Sequence, residues 1–194
     1  MKKLSTCLFL ILFGFSAHSF AEDISEYQIE GISIGDSALN FFSEDEIKIN
    51  TIKEYIERTK DKKFAIAEFS FLSTFELYEV VQIGYKINDK KYIIHAIEGM
   101  ITYRKNIKDC YKKQKEILKE LIELFKNTKA VDTPKSKHPF DKSGKSFTKD
   151  IYFKLSSGDF VGVSCYDWSE EINYIDHLRL IIRKKEYNKW LDTL

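Results

Sequence analysis

Residues 106–127 read NIKDCYKKQKEILKELIELFKN. Ile107, Cys110, Tyr111, Gln114, Ile117, Leu118, Leu121, Leu124 and Phe125 recur at three- and four-residue steps, with Lys and Glu filling the gaps. At 3.6 residues per turn that spacing gathers the apolar side chains onto one stripe of a helix, and a stripe this wide must be covered by another element. Asn106, with Asp109 three positions on, is the expected amino-terminal cap. Lys112/Glu116 and Lys119/Glu123 are spaced to pair along the wet face, each pair adding about 0.3 kcal/mol.

The cover is expected from strands on both sides. Residues 64–71 read as a strand, and 77–87 as a better one, with Val81, Ile83, Tyr85 and Ile87 alternating against Val80, Gln82, Gly84 and Lys86. Asn88-Asp89-Lys90 turns the chain and 91–103 returns, with Gly99 as the expected bulge. Downstream, 147–155 and 160–167 form a hairpin around Ser156-Ser157-Gly158-Asp159, and 175–183 is a last strand with Leu178, Leu180 and Ile182 inward. Tyr187, Trp190, Leu191 and Leu194 mark a short closing helix, while 131–145, with both prolines (Pro134, Pro139), is the long loop. Upstream, 27–34 is a short strand, and Asp36 and Ser37 cap a helical piece through Phe42. Ser43-x-x-Glu46 is a capping box opening a broken helix toward Arg58.

YKINDKKYII (85–94) and FKLSSGDFVG (153–162) match at a 68-residue offset, and the same shift lays the broken first helix over the long one. The expectation is an α+β fold: an antiparallel sheet with helices packed on one face, from a degenerate helix-plus-three-strands unit occurring twice, about 31–104 and 105–194. The element order resembles that of the outer-membrane assembly lipoprotein BamE and of the β-lactamase inhibitor protein. Such a resemblance bears on fold and not on function.

The first 21 residues, MKKLSTCLFLILFGFSAHSFA, have the layout of a secretory signal: Lys2 and Lys3, an apolar run from Cys7 to Phe15, and Ser19-Phe20-Ala21 at the cleavage positions. The apolar run is well short of the roughly 20 residues a spanning helix needs. Residues 22–194 are then one exported domain, periplasmic or secreted, with no transmembrane segment in the mature chain. The whole chain has 31 Lys+Arg against 30 Asp+Glu; losing two lysines with the signal leaves a net charge of −1, which argues against nucleic acid as a partner. Two cysteines remain, Cys110 on the helix stripe and Cys165 on a strand face with Val161 and Val163, and export favours a disulfide between them. Closing about 54 intervening residues would add about 4 kcal/mol of stability.

Several short motifs suggest chemistry. Gly35-Asp36-Ser37, after Ile32 and Ile34, resembles the nucleophile block of the GDSL lipase/esterase family, which would make Ser37 a serine nucleophile in need of a histidine base. The family's G-x-N-D block is replaced by Gly84-Tyr85-Lys86-Ile87-Asn88-Asp89, and its D-x-x-H block is missing: Tyr174, Lys135 and Tyr92 precede His177, His138 and His95 by three residues. A helix cap accounts better for Asp36 and Ser37. Gly144-Lys145-Ser146 resembles the end of a phosphate-binding loop, but Pro139 stands where its first glycine belongs. In the segment 167–178, Ile172 and Leu178 occupy the glycine and glutamate positions of a calcium loop. The three mature histidines are scattered, so neither a metal nor another cofactor is expected.

Tyr152, Tyr166, Trp168 and Tyr174 crowd the second half and could form a platform for a sugar ring or a partner's apolar surface, or belong to ordinary packing. GISIGDSALNFFSEDEI with the later DCYKKQKEILKEL resembles short exported proteins of AT-rich marine alphaproteobacteria, and the resemblance implies export and a single domain. The leading expectation is a non-catalytic binding domain of the cell envelope, its partner an envelope protein or other envelope component. The alternative is an esterase using Ser37.

Overall fold

The computed structural model describes residues 23–59, 61–104 and 106–193; the signal segment lies outside the described residues. Two miniature strands, β1 (Gln28–Ile29) and β2 (Ile32–Ser33), flank a turn at Glu30 and Gly31, both with positive φ. The turn breaks the expected strand over 27–34 in two. Ser37 caps a single 3-10 turn, Ala38–Asn40. The Ser43/Glu46 capping box closes in both directions and starts α1 (Glu44–Ile49), which a break at residues 50–52 separates from α2 (Lys53–Arg58).

Strands β3 (Phe64–Ser70), β4 (Val80–Lys86) and β5 (Ile94–Arg104) form one meander. Helix α3 (Ile107–Leu124) follows, then two-residue strands β6 (Val131–Asp132) and β7 (Ser136–Lys137). The second meander is β8 (Phe147–Lys154), β9 (Phe160–Asp167) and β10 (Asp176–Arg183), and the short helix α4 (Lys185–Leu191) closes the chain. All pairings are antiparallel, in the order β3-β4-β5-β10-β9-β8-β6, with β7 also on β8. Three strands preceded by helix therefore occur twice, and the two sets meet at the β5–β10 seam. By position in the sheet, β4–β5 corresponds to β9–β10, whereas the 68-residue offset lays it over the tight β8–β9 hairpin. The likeness at that offset is one of hairpin chemistry rather than of place.

Strand alternation gives the sheet two unlike faces. Ala65, Ala67, Phe69, Val81, Ile83, Ile97, Ile151, Phe153, Val161, Val163, Cys165, Leu178, Leu180 and Ile182 share the face that α3 covers. Cys110, Gln114, Ile117 and Leu121 of α3 are buried there, each large apolar side chain contributing roughly 1.5–3 kcal/mol. The Cys110–Cys165 disulfide fastens the helix to β9, with Cα atoms 6.0 Å apart. Gln114 Nε2 donates to the carbonyls of Lys149 (2.7 Å) and Val163 (2.9 Å), so the polar member of the stripe is satisfied across β8 and β9. Asn106 stands at the amino-terminal cap, but its side chain donates to Asp109 Oδ2 instead of accepting from the helix backbone. Among the described residues, the ion pairs found along the wet face are Lys113–Glu116 and Lys126–Glu123, at i,i+3 rather than the expected i,i+4.

The opposite set, Phe64, Ile66 and Ala96, meets Tyr187 and Trp190 of α4, with Ile52, Tyr55 and Leu191 alongside. α4 thus lies on the other face from α3. Gly84 makes that approach possible: an added Cβ would stand 2.2–2.8 Å from the Tyr187 ring. Gly99 is likewise a clearance, for Tyr78, and the bulge expected there falls at Gly84/Tyr85 instead, where residue 95 is the extra one on β5.

Both rims of the sheet are covered. At β3, Ile52 N donates to Ile66 O (2.8 Å) and Glu68 N to Asn50 O (3.0 Å). At β8 the outer positions are taken by β6 and β7, two short pieces with Pro134 between them. A further anchor is Glu30, whose carboxylate accepts from the backbone N–H groups of Glu76, Leu77 and Tyr78 at 2.7–2.8 Å and so pins the β3–β4 loop.

Candidate functional site

The face not covered by α3 carries a charged centre and, at one end, an aromatic corner. The centre is Glu98 on β5, buried between two arginines of β10. Its carboxylate accepts from Arg179 Nη1 (2.9 Å), Arg183 Nε (2.7 Å) and Arg183 Nη2 (2.5 Å). Burial alone would raise the Glu98 pKa, but Arg183 and Arg179 outweigh it and hold the group below the ordinary carboxylate range. Gln82 bridges onward to Glu68 at 2.6 Å.

Arg179 links this centre to the corner, its guanidinium lying 5.0 Å above the Tyr166 ring. Register places His177 opposite Tyr166, and their rings stack at 4.6 Å with an interplanar angle of 14°. Trp168, just past the end of β9, continues the stack at 5.9 Å and 17°. The long loop then folds over: His138 stands 4.5 Å from Trp168 and 5.8 Å from Tyr166. Tyr174 adjoins Trp168 at 4.9 Å and Phe140 at 5.9 Å. Tyr174 (54% exposed), Phe140 (47%) and Ile175 (45%) form the outer rim, and three large side chains this open on adjoining loops make a patch rather than isolated exceptions.

Backbone-directed carboxylates make the two loops rigid. Asp141 accepts from Ser143 N, Ser146 N and Ser146 Oγ at 2.7–2.8 Å, and Ser146 Oγ in turn accepts from Ser169 N at 2.9 Å. The Ser143 and Ser146 hydroxyls, with the amides of the same two residues, hold the Asp141 carboxyl far below the usual range. Asp176 accepts from Trp168 N at 2.7 Å. Charge joins the loops as well, through Lys135–Asp167 (2.6 Å) and Lys145–Glu171.

The tautomers of both histidines follow from their neighbours. His177 Nδ1 lies 2.8 Å from the Ile175 carbonyl, which can only accept, so Nδ1 carries the proton and Nε2 is a buried lone pair with no partner among the described residues. His138 Nδ1 accepts from Phe140 N at 3.2 Å, so its proton is on Nε2. Burial first, then the Arg179 charge, pushes His177 down to about 4 and lowers His138 as well. Burial raises Tyr166. The corner therefore offers neutral imidazoles and intact phenols at ordinary pH, on a fixed backbone.

Of the four aromatic residues singled out in the sequence, Tyr166, Trp168 and Tyr174 come together. Tyr152 does not: it stacks on Phe160 at 5.1 Å, further along the same face. His138, Phe140 and His177 belong to the corner and were not anticipated. For His177 the signal was there, since 177, 179, 181 and 183 alternate against the inward Leu178 stripe. For His138 and Phe140 the aperiodic loop gives none.

Ser37 has its hydroxyl donating to the Lys91 carbonyl at 2.6 Å while accepting from Leu39 N at 3.3 Å, and among the described residues both partners are backbone groups. Lys145-Ser146 sits in the turn organised by Asp141. Among the described residues no group of three His, Cys, Asp or Glu side chains could hold a metal ion, and no helix is long and apolar enough to cross a membrane. Compared with protein-family models, curated proteins and solved structures, the chain finds no match.

Proposed function

We propose that this is an exported, non-catalytic binding domain of the cell envelope, periplasmic or secreted, that holds an envelope protein or other envelope component against its aromatic corner. The observation that carries the reading is the Phe140–Tyr174–Ile175 rim, apolar and open to solvent on loops that three carboxylate-to-backbone bonds brace. Rigid aromatic surface loses little conformational freedom on contact, which is why Tyr and Trp dominate binding hot spots. The disulfide and the signal-like first 21 residues support export, and the resemblance to short exported alphaproteobacterial proteins belongs to the same proposal.

The test is a photo-crosslinking amino acid placed at Tyr174 or at Phe140 in the producing cells, with Ile122 on the exposed side of α3 as control. A discrete adduct from the corner positions and none from Ile122 is expected. Equal adducts from all three positions, or none from the corner, would overturn the reading. So would turnover of substrates by the purified protein in a general hydrolase screen. The esterase alternative requires fluorophosphonate labelling that disappears in Ser37→Ala, and the capping bonds of that hydroxyl favour the binding reading instead.

A further inference from the structure

We infer that the aromatic corner is an acid-released clasp, in which protonation of His138 and His177 frees segment 133–146 from the loop that carries Trp168. The inference stands whether or not the corner binds a partner. It starts from where a second proton can go on each ring. His138 Nδ1 is the acceptor for Phe140 N–H and so holds the bend at Pro139. A proton there turns the acceptor into a donor and sets two N–H groups face to face. On His177, Nδ1 is already committed to the Ile175 carbonyl, so the proton must land on Nε2, which is buried and has no acceptor among the described residues.

At both rings burial and the positive neighbours outweigh the negative ones. Arg179 on β10 repels both rings, and His138 itself repels a protonated His177. On the attracting side stand Glu98 from β5, Asp150 from β8 and Asp141 within the segment. Glu98 is occupied by two guanidiniums, and Asp141 by the Ser143 and Ser146 donors. At the foot of the corner, Asp167 is engaged by Lys135 and Asp176 by Trp168 N. Lifting the segment bares His138 and uncovers the Trp168 and Tyr166 rings that adjoin His177, which gives water a path toward both imidazoles.

The Asp141 bonds stiffen the segment from within, so it would lift as a unit. Its ties to the Trp168 loop are Ser169 N to Ser146 Oγ, Lys135–Asp167 and the exposed Lys145–Glu171 pair, which adds little, and these are what opening breaks; β7 contributes only two residues of ladder. The pH range follows from linkage. A histidine of ordinary value 6.5 pushed down to about 4 in the closed corner favours closure fully above pH 6.5, and the advantage is lost as pH falls from there toward 4. From pH 7 to pH 4.5, His177 alone raises the opening constant about sixty-fold.

Hydrogen exchange read by mass spectrometry on the exported chain (residues 22–194), at pH 7.0 and pH 4.5 and corrected for intrinsic rate, tests this. Protection in 133–146 and 168–175 is expected to fall at least tens-fold on acidification while β4 and β5 keep theirs, and the loss is expected to vanish in His138→Gln/His177→Gln. A pH-independent corner, loss spread equally over β4 and β5, or a pH effect that persists in the double variant overturns the clasp. Should the double variant not fold, NMR titration of the unaltered protein decides: a His177 that titrates with an unshifted value overturns it, and one that titrates well below, together with acid loss of protection confined to the corner, supports it.

Discussion

Glu98→Gln removes one charge from the middle of the sheet and leaves the side-chain volume almost unchanged. Glu98 is 4% exposed, and the side chains of Arg179 and Arg183 are 19% and 15% exposed, so three desolvated ions share one site. Removing the anion leaves two guanidiniums side by side with no counter-charge, which costs about 3–5 kcal/mol. With a urea m-value of roughly 2 kcal/mol/M the unfolding midpoint should drop by roughly 1.5–2.5 M, with m unchanged. Replacing all three ions by methionine should cost far less than Glu98→Gln, because desolvation is then no longer opposed by anything lost. The pH profile gives an independent check. A carboxylate held below its ordinary value contributes stability that is present above about pH 4.3 and is lost as pH falls through the folded-state pKa. Glu98→Gln should therefore flatten the acid limb of the stability curve. A midpoint within about 0.5 M of the parent, at neutral pH, would refute the account and mean that water already screens the triad.

Other expectations rest on separate features. Cys110→Ser/Cys165→Ser should lower stability by up to about 4 kcal/mol, seen as a midpoint shift that reductant reproduces in the parent and not in the variant. Gly84→Ala should push α4 off the sheet and cost about 1–3 kcal/mol, with loss of near-ultraviolet signal from Trp190; an unchanged spectrum would show that the Tyr187 ring can step aside. Glu30→Ala releases the three backbone donors at 76–78 that pin this loop, so proteolysis within 71–79 should accelerate about ten-fold before any other site is cut.

The core of this fold is written plainly in the chain because periodicity is a direct record of burial. The three- and four-residue recurrence in α3, the alternation in β4 and β9, and the facing positions of Cys110 and Cys165 each fix which side chain meets the core. Details decided by close contact were not legible. Gly99 and Gly84 look alike in sequence, and only the placement of Tyr78 and Tyr187 shows that both are clearances and that the bulge belongs to Gly84/Tyr85. The Asn106 side chain could cap the helix or bond Asp109, and a difference this small is settled by local rotamers. The corner was half legible. Tyr166 and Trp168 flank the end of a recognisable strand, but the loop that delivers His138 and Phe140 has no period, and its path is set by Asp141 and Ser146 reaching across to Ser169.

One consequence follows from the guarded rims. A stranger's strand finds little continuous edge: at β3 the Ile66 carbonyl and the Glu68 amide are already bonded to Ile52 and Asn50, and beyond β8 the backbone is cut into two-residue lengths by Pro134. The same interruptions work against growth of the sheet into fibres, because an added strand would meet ladder-length edges already broken by side contacts and by proline.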